Sequence, residues 1–307
     1  MINAVDKLIE RVKETKNPTV MGLDPRYDMI PECIRKKYTV DFEGACEAML
    51  EFNKGLIDSV CDIIPAVKPQ IAFYEMFGVE GINLFKKTCK YAKLKGMVVI
   101  ADVKRGDIGT TAEGYSNAYL GKTELGELFY DIFDVDFVTL NPYLGTDSIK
   151  PFIEDCKRHG KGAFILVKTS NKSSGELQDL KLEDGKTVYE AVAELVNTWG
   201  EELVGEHGYS SIGAVVGATY PVQIEELRSI MPNAYFLIPG YGAQGGKAED
   251  IALGFRKGLG GIVNASRSLM AAYKSDTWKD KYSEEEYKEA TRAEAIRMRD
   301  ELNAAIK

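Results

Sequence analysis

Met97-Val98-Val99-Ile100-Ala101-Asp102-Val103-Lys104-Arg105-Gly106-Asp107-Ile108-Gly109-Thr110-Thr111 opens as a β-branched apolar run and ends in charge. Side chains on an extended segment alternate faces, so Asp102 and Lys104 are expected to point the same way. Asp107 is expected to return toward them from the following turn. A lysine held between two acids stays protonated and fixed in place, and burying such charges is tolerated only when they pair. Taken alone, a D-x-K at a loop would read first as a surface salt-bridge cluster. The rest of the chain reverses that reading.

Seven further apolar runs recur at fairly even intervals: Thr19-Val20-Met21-Gly22-Leu23, Ile63-Ile64-Pro65-Ala66-Val67, Phe137-Val138-Thr139-Leu140, Ala163-Phe164-Ile165-Leu166-Val167, Ile212-Gly213-Ala214-Val215-Val216, Tyr235-Phe236-Leu237-Ile238 and Gly261-Ile262-Val263. Near-continuous apolar character is what a covered parallel sheet requires. Amphipathic stretches separate the runs, such as Phe42 to Val60, where Phe42, Ala45, Met49, Phe52, Leu56 and Val60 recur with helical spacing. Val188, Val192, Leu195, Val196 and Trp199 do the same. Eight β/α units predict an α/β fold, a single (β/α)8 TIM-type barrel over residues 1–307 with extra terminal helices. Two stretches exceed the minimal barrel. The polar insert Asn171 to Thr187 is placed to form part of a lid, and the tail after Ser275 reads as a helix with Ser283 and Glu286 as a capping box.

The chain has 307 residues, 45% of them hydrophobic and 28% charged, which is enough for a full core in an ordinary globular protein. A net charge of −8 argues against a broad nucleic-acid surface, so any phosphate must be held by specific groups. The five cysteines are scattered without a C-x-x-C pair and read as reduced thiols in a cytoplasm. Neither a secretory leader nor a membrane span is expected. His159 and His207 sit at no strand end, so no metal site is expected.

In such a barrel the carboxyl ends of the strands converge on one mouth. The residues expected there are Asp24, Lys68, Asp102 with Lys104, Asn141, Lys168-Thr169-Ser170, Pro239-Gly240, and Asn264 with Arg267. Singly, each would read as a helix cap or a surface ion pair; together they describe a site. The glycine-dense loop Pro239-Gly240-Tyr241-Gly242-Ala243-Gln244-Gly245-Gly246 stands beside Asn264-Ala265-Ser266-Arg267, where many barrels bind phosphate. Backbone amides and a permanently charged guanidinium suit an anion.

These motifs resemble the orotidine 5'-monophosphate decarboxylase family, in its longer type 2 subgroup, over essentially the whole chain. The most specific piece is Asp102-Val103-Lys104-Arg105-Gly106-Asp107-Ile108, similar to the family's D-x-K-x-x-D-I signature. Leu23-Asp24-Pro25, Val67-Lys68-Pro69, Val167-Lys168-Thr169-Ser170-Asn171, the glycine loop and Asn264-Ala265-Ser266-Arg267 support it. The resemblance implies decarboxylation of orotidine 5'-monophosphate to uridine 5'-monophosphate in pyrimidine biosynthesis, without a cofactor, by a cytoplasmic homodimer with no nucleic-acid or membrane partner.

By the same resemblance Lys68, Asp102, Lys104 and Asp107 form an alternating charge array with Lys104 as proton donor, and the partner subunit contributes Asp107 and Thr111. Asp24 and Lys68 would hold ribose hydroxyls and Ser170 the pyrimidine. Gln244, Arg267 and Tyr241 would hold the phosphate, and Ile108 and Pro239 belong to the substrate-binding set. Gln70 is a further candidate. Three alternatives stand beside this reading: a magnesium-dependent keto-sugar-phosphate decarboxylase of the same superfamily, a Schiff-base aldolase using Lys168, and a non-catalytic sensor of a phosphate ligand.

Overall fold

All eight apolar runs supply strands, and their hydrogen-bonded order closes on itself. In the computed structural model, which describes residues 3–242 and 245–306, the strands are β1 (Thr19–Leu23), β2 (Ala66–Pro69), β3 (Val98–Arg105), the short β4 (Thr123–Leu125) and β5 (Leu128–Tyr130), β6 (Phe137–Leu140), β7 (Gly162–Lys168), β8 (Ser210–Val216), β9 (Ala234–Ile238) and β10 (Gly261–Ala265). The barrel runs β1-β10-β9-β8-β7-β6-β3-β2, and β4 and β5 stand apart as a hairpin. Around it lie α1 (Ala4–Thr15), α2 (Phe42–Val60), α3 (Gly78–Leu94), α4 (Gly109–Tyr119), α5 (Thr146–His159), α6 (Val188–Gly200), α7 (Pro221–Ile230), α8 (Ala248–Ala252) and α9 (Tyr287–Ala305).

Strand alternation decides what stands at the mouth. Ala66, Val98, Ile100, Phe137, Phe164, Leu237 and Ile262 form one buried cluster with Val5, Leu8, Ile9 and Val12 of α1, which closes the amino end. Their neighbours Val67, Val99, Val138, Ile165, Phe236 and Val263 belong to a second cluster shared with the surrounding helices. Two residues further along each inward series come Lys68, Asp102, Thr139, Leu166, Pro239 and Asn264, which all border one cavity.

At the amino end Arg228 is 2% exposed. Its guanidinium donates to the carbonyls of Gly254, Met231, Ala234 and Gly260 at 2.6–3.1 Å. It also lies 3.6 Å from the centre of the Phe236 ring.

Several boundaries differ from the sequence expectation. β2 starts at Ala66 rather than Ile63, because the Ile63 and Ile64 amides both return to the Val60 carbonyl in the turn that ends α2. Pro65 follows with no amide to give. The Ser283–Glu286 capping box is half formed: Glu286 accepts from the Ser283 amide at 2.9 Å, but α9 begins only at Tyr287 and Glu286 caps it with no side-chain bond. The β4–β5 hairpin was not anticipated. Its signal is a two-residue Gly126-Glu127 connection with Gly126 at φ 62°.

Candidate active site

Asp102 is the hub of the mouth. It is 6% exposed and accepts four bonds. Its Oδ2 receives Lys68 Nζ at 2.6 Å and Gln70 Nε2 at 2.9 Å; its Oδ1 receives Lys104 Nζ at 2.5 Å and Thr139 Oγ1 at 2.9 Å. Burial opposes ionisation of Asp102, but the Lys68 and Lys104 ammoniums outweigh it and hold the carboxyl well below the usual carboxylate range. Burial likewise opposes the Lys68 charge, and Asp102 and Asp24 more than restore it, so its pKa lies above the ordinary lysine value. The array is therefore a buried cation and anion with a second cation, Lys104, whose side chain is 45% exposed at the cavity.

Lys104 reaches this place by a route that simple alternation does not provide. Between Ala101 and Arg105 the strand β3 advances four residues while β6 advances two, from Val138 to Leu140. Lys104 sits in this bulge at φ 44°, a left-handed conformation that costs a non-glycine residue about 1–3 kcal/mol. Bulges re-aim side chains beside active sites. Here the bulge turns the Lys104 ammonium onto Asp102 while leaving it open to a ligand.

Two adjoining cavities share Asp24, Pro239 and Asn264. The first, about 470 Å³, holds Lys68, Gln70, Asp102, Lys104, Thr139, Ser170 and Gln178 against Leu166, Val215 and Leu237. The second, about 350 Å³, is bordered by Gly240, Tyr241, Ser266 and Arg267. Asp24 Oδ1 and Asn264 Oδ1 are buried at the junction and find no partner among the described residues. Two unsatisfied buried acceptors are what a ligand carrying hydroxyl donors would complete. Gly217 allows Ser170 its position, since a Cβ there would lie 2.9 Å from the Ser170 amide nitrogen.

The other expected residues divide. Tyr241 borders the second cavity, and burial together with the neighbouring Glu301 carboxylate raises its hydroxyl above the ordinary tyrosine range. Gln244 lies outside the described residues. Asp107, Ile108 and Thr111 stand on the rim at the start of α4 and border neither cavity. Asp107 accepts from the Ile108 amide at 2.8 Å rather than turning back to Lys104. The expectation that it closes on Lys104 within one chain is thus not met.

Lys168 does not enter the mouth. A register shift between Leu166 and Lys168 relative to β8 takes it off the inward series. Its ammonium binds Asp179 of the insert at 2.5 Å and packs over the Tyr220 and Tyr189 rings. A lysine so engaged is a tether for the insert, not an amine presented to a carbonyl. Sequence reasoning missed Thr139 and Gln178. Thr139 carried a signal as the one polar residue of its run; Gln178 carried none, because its place depends on how the insert folds back.

A closed parallel barrel whose carboxyl mouth carries an alternating charge array beside an arginine-bordered second cavity is the build of a barrel enzyme for an anionic ligand. The chain belongs to the orotidine 5'-phosphate decarboxylase / HUMPS family, whose model matches residues 22–280. It is similar to the orotidine 5'-phosphate decarboxylase of Caldicellulosiruptor saccharolyticus, with 42% identity over 311 residues and the full length of both chains. That of Clostridium perfringens is 43% identical over 302 residues, or 98% of each chain. Among solved structures it is similar to Leishmania donovani OMP decarboxylase, with 30% identity, a TM-score of 0.74 and 99% of each chain covered.

Proposed function

We propose that this enzyme removes the carboxylate of orotidine 5'-monophosphate as carbon dioxide, leaving uridine 5'-monophosphate, with Lys104 as the proton donor. The observation that carries the reading is the Lys68–Asp102–Lys104 array in a cavity that adjoins, through Asp24, Pro239 and Asn264, a second one bordered by Arg267. Base and ribose would occupy the first cavity and phosphate the second, where Tyr241 and Arg267 both border the space; the family resemblance adds Gln244 as a phosphate ligand. Asp24 and Lys68 take ribose hydroxyls, and Ser170 takes the pyrimidine.

The bond to the carboxylate breaks with its electron pair left on the ring carbon. Lys104 meets that pair and then delivers a proton to it. At an effective dielectric of ~20 and ~4 Å, one such charge pair is worth about 4 kcal/mol, against barrier reductions of ~20 kcal/mol in enzymes. Preorganisation of the array and use of phosphate binding energy supply the rest.

The direct test is ultraviolet absorbance. The purified protein should convert orotidine 5'-monophosphate with the pyrimidine change of decarboxylation, and exhaustive chelation should leave the rate unchanged. Among the described residues no cluster of three or more His, Cys, Asp or Glu has metal-ligand geometry. Activity lost on chelation and restored by magnesium would favour the keto-sugar-phosphate reading instead.

The finer assignments are a type 2 member, one barrel domain over residues 1–307, a cytoplasmic setting and a homodimer. The first rests on the sequence motifs alone, and five unpaired cysteines support the cytoplasm. Among the described residues no helix is long and apolar enough to cross a membrane. For the dimer, Ile108, Leu125, Leu128, Phe129 and Tyr143 are each more than half exposed, beside the rim residues Asp107 and Thr111 that their own cavity leaves unused.

Under this pairing Lys104→Ala and Asp107→Ala should each be inactive alone. Mixed dimers should then regain one intact site. With about half the dimers mixed and one of two sites working in each, activity returns to roughly a quarter of wild type. No recovery after verified subunit exchange would exclude a shared site.

A further inference from the structure

We infer that Thr139, on β6, is a positioning residue for Lys104: one buried hydroxyl holds both the strained backbone of the lysine and the carboxylate that orients its ammonium. The inference rests on the reading of Lys104 as proton donor. Thr139 is 1% exposed. A hydroxyl has one hydrogen to give and two lone pairs to offer, and Thr139 commits all three. It donates to Asp102 Oδ1 at 2.9 Å and accepts the backbone amides of Val103 and Lys104, both at 2.9 Å.

Those two amides belong to the bulge. β3 and β6 are paired at Ala101–Val138 and again at Arg105–Leu140, so Val103 and Lys104 fall where the ladder has no carbonyl opposite them. Buried amides without partners would drive the segment toward another conformation. The Thr139 hydroxyl supplies the missing acceptor for both, and so stabilises Lys104 at φ 44°. The same oxygen fixes Asp102 Oδ1, the atom that receives Lys104 Nζ at 2.5 Å. Backbone and head group of the lysine are thereby referred to one atom on the neighbouring strand. With its bonding capacity used inside the protein, Thr139 borders the cavity without a bond left for a ligand.

The test compares Thr139→Val, which keeps the shape and loses the hydroxyl, with Thr139→Ser, which keeps the hydroxyl. Misplacing a catalytic group by about 1 Å costs on the order of a hundredfold, so Thr139→Val should lose about that factor in kcat. KM for orotidine 5'-monophosphate should stay within about threefold, because ground-state contacts are untouched. Thr139→Ser should recover kcat to within about fivefold of wild type. If Thr139→Val fails to fold, Thr139→Ala read against Thr139→Ser gives the same comparison.

Lys104→Ala and the double variant Lys104→Ala/Thr139→Val complete a cycle, and the double should be no slower than Lys104→Ala alone. A Thr139→Val enzyme with near-wild-type kcat, an equal loss in Thr139→Ser, or a double variant slower than Lys104→Ala would overturn the inference while leaving Lys104 in its role. An active Lys104→Ala enzyme would overturn both.

Discussion

Lys104→Ala should lower kcat by about four orders of magnitude or more, since the change removes both the proton donor and the cation facing the developing carbanion. The fold should survive. The lysine side chain is 45% exposed, and the buried Lys68–Asp102 pair keeps both partners. Alanine also inherits the left-handed φ of 44° without adding to it. Steady-state rates at high enzyme concentration, with circular dichroism and calorimetric binding of uridine 5'-monophosphate as controls, measure the effect. A folded variant that binds product and keeps more than a few per cent of activity removes Lys104 from the chemistry.

Arg267→Ala should be selective rather than lethal. A bidentate charge-assisted contact is worth about 3 kcal/mol, or on the order of a hundredfold in kcat/KM. That loss should appear with the nucleotide and be nearly absent with the phosphate-free nucleoside, because Arg267 borders only the second cavity. Parallel kcat/KM measurements on the two substrates decide it. Equal losses would place the guanidinium somewhere other than on the phosphate.

The barrel was legible because its cause is periodic. Apolar runs at regular intervals specify covered parallel strands, and extending each inward series by two residues correctly leads to Lys68, Asp102, Pro239 and Asn264. What escaped were breaks in period. Lys104 meets Asp102 through a bulge, and Lys168 leaves the mouth through a register shift, although both occupy strand ends in the sequence. Which face a residue takes after a bulge depends on its hydrogen-bond partners on the neighbouring strand, and these are distant in sequence. Thr139 was therefore read as a member of an apolar run, when its hydroxyl is the acceptor that the bulge needs. Asp107 shows a different limit: local turn logic folded it back on Lys104, while the structure leaves it on the rim.

At the opposite end of the barrel one guanidinium gathers four backbone carbonyls around the starts of β9 and β10. No substitution by an uncharged side chain could satisfy all four acceptors, so that end is fastened independently of anything bound at the mouth. Closure and ligand contact are thus assigned to different side chains in this molecule: neither Arg228 nor any residue whose carbonyl it holds borders either cavity.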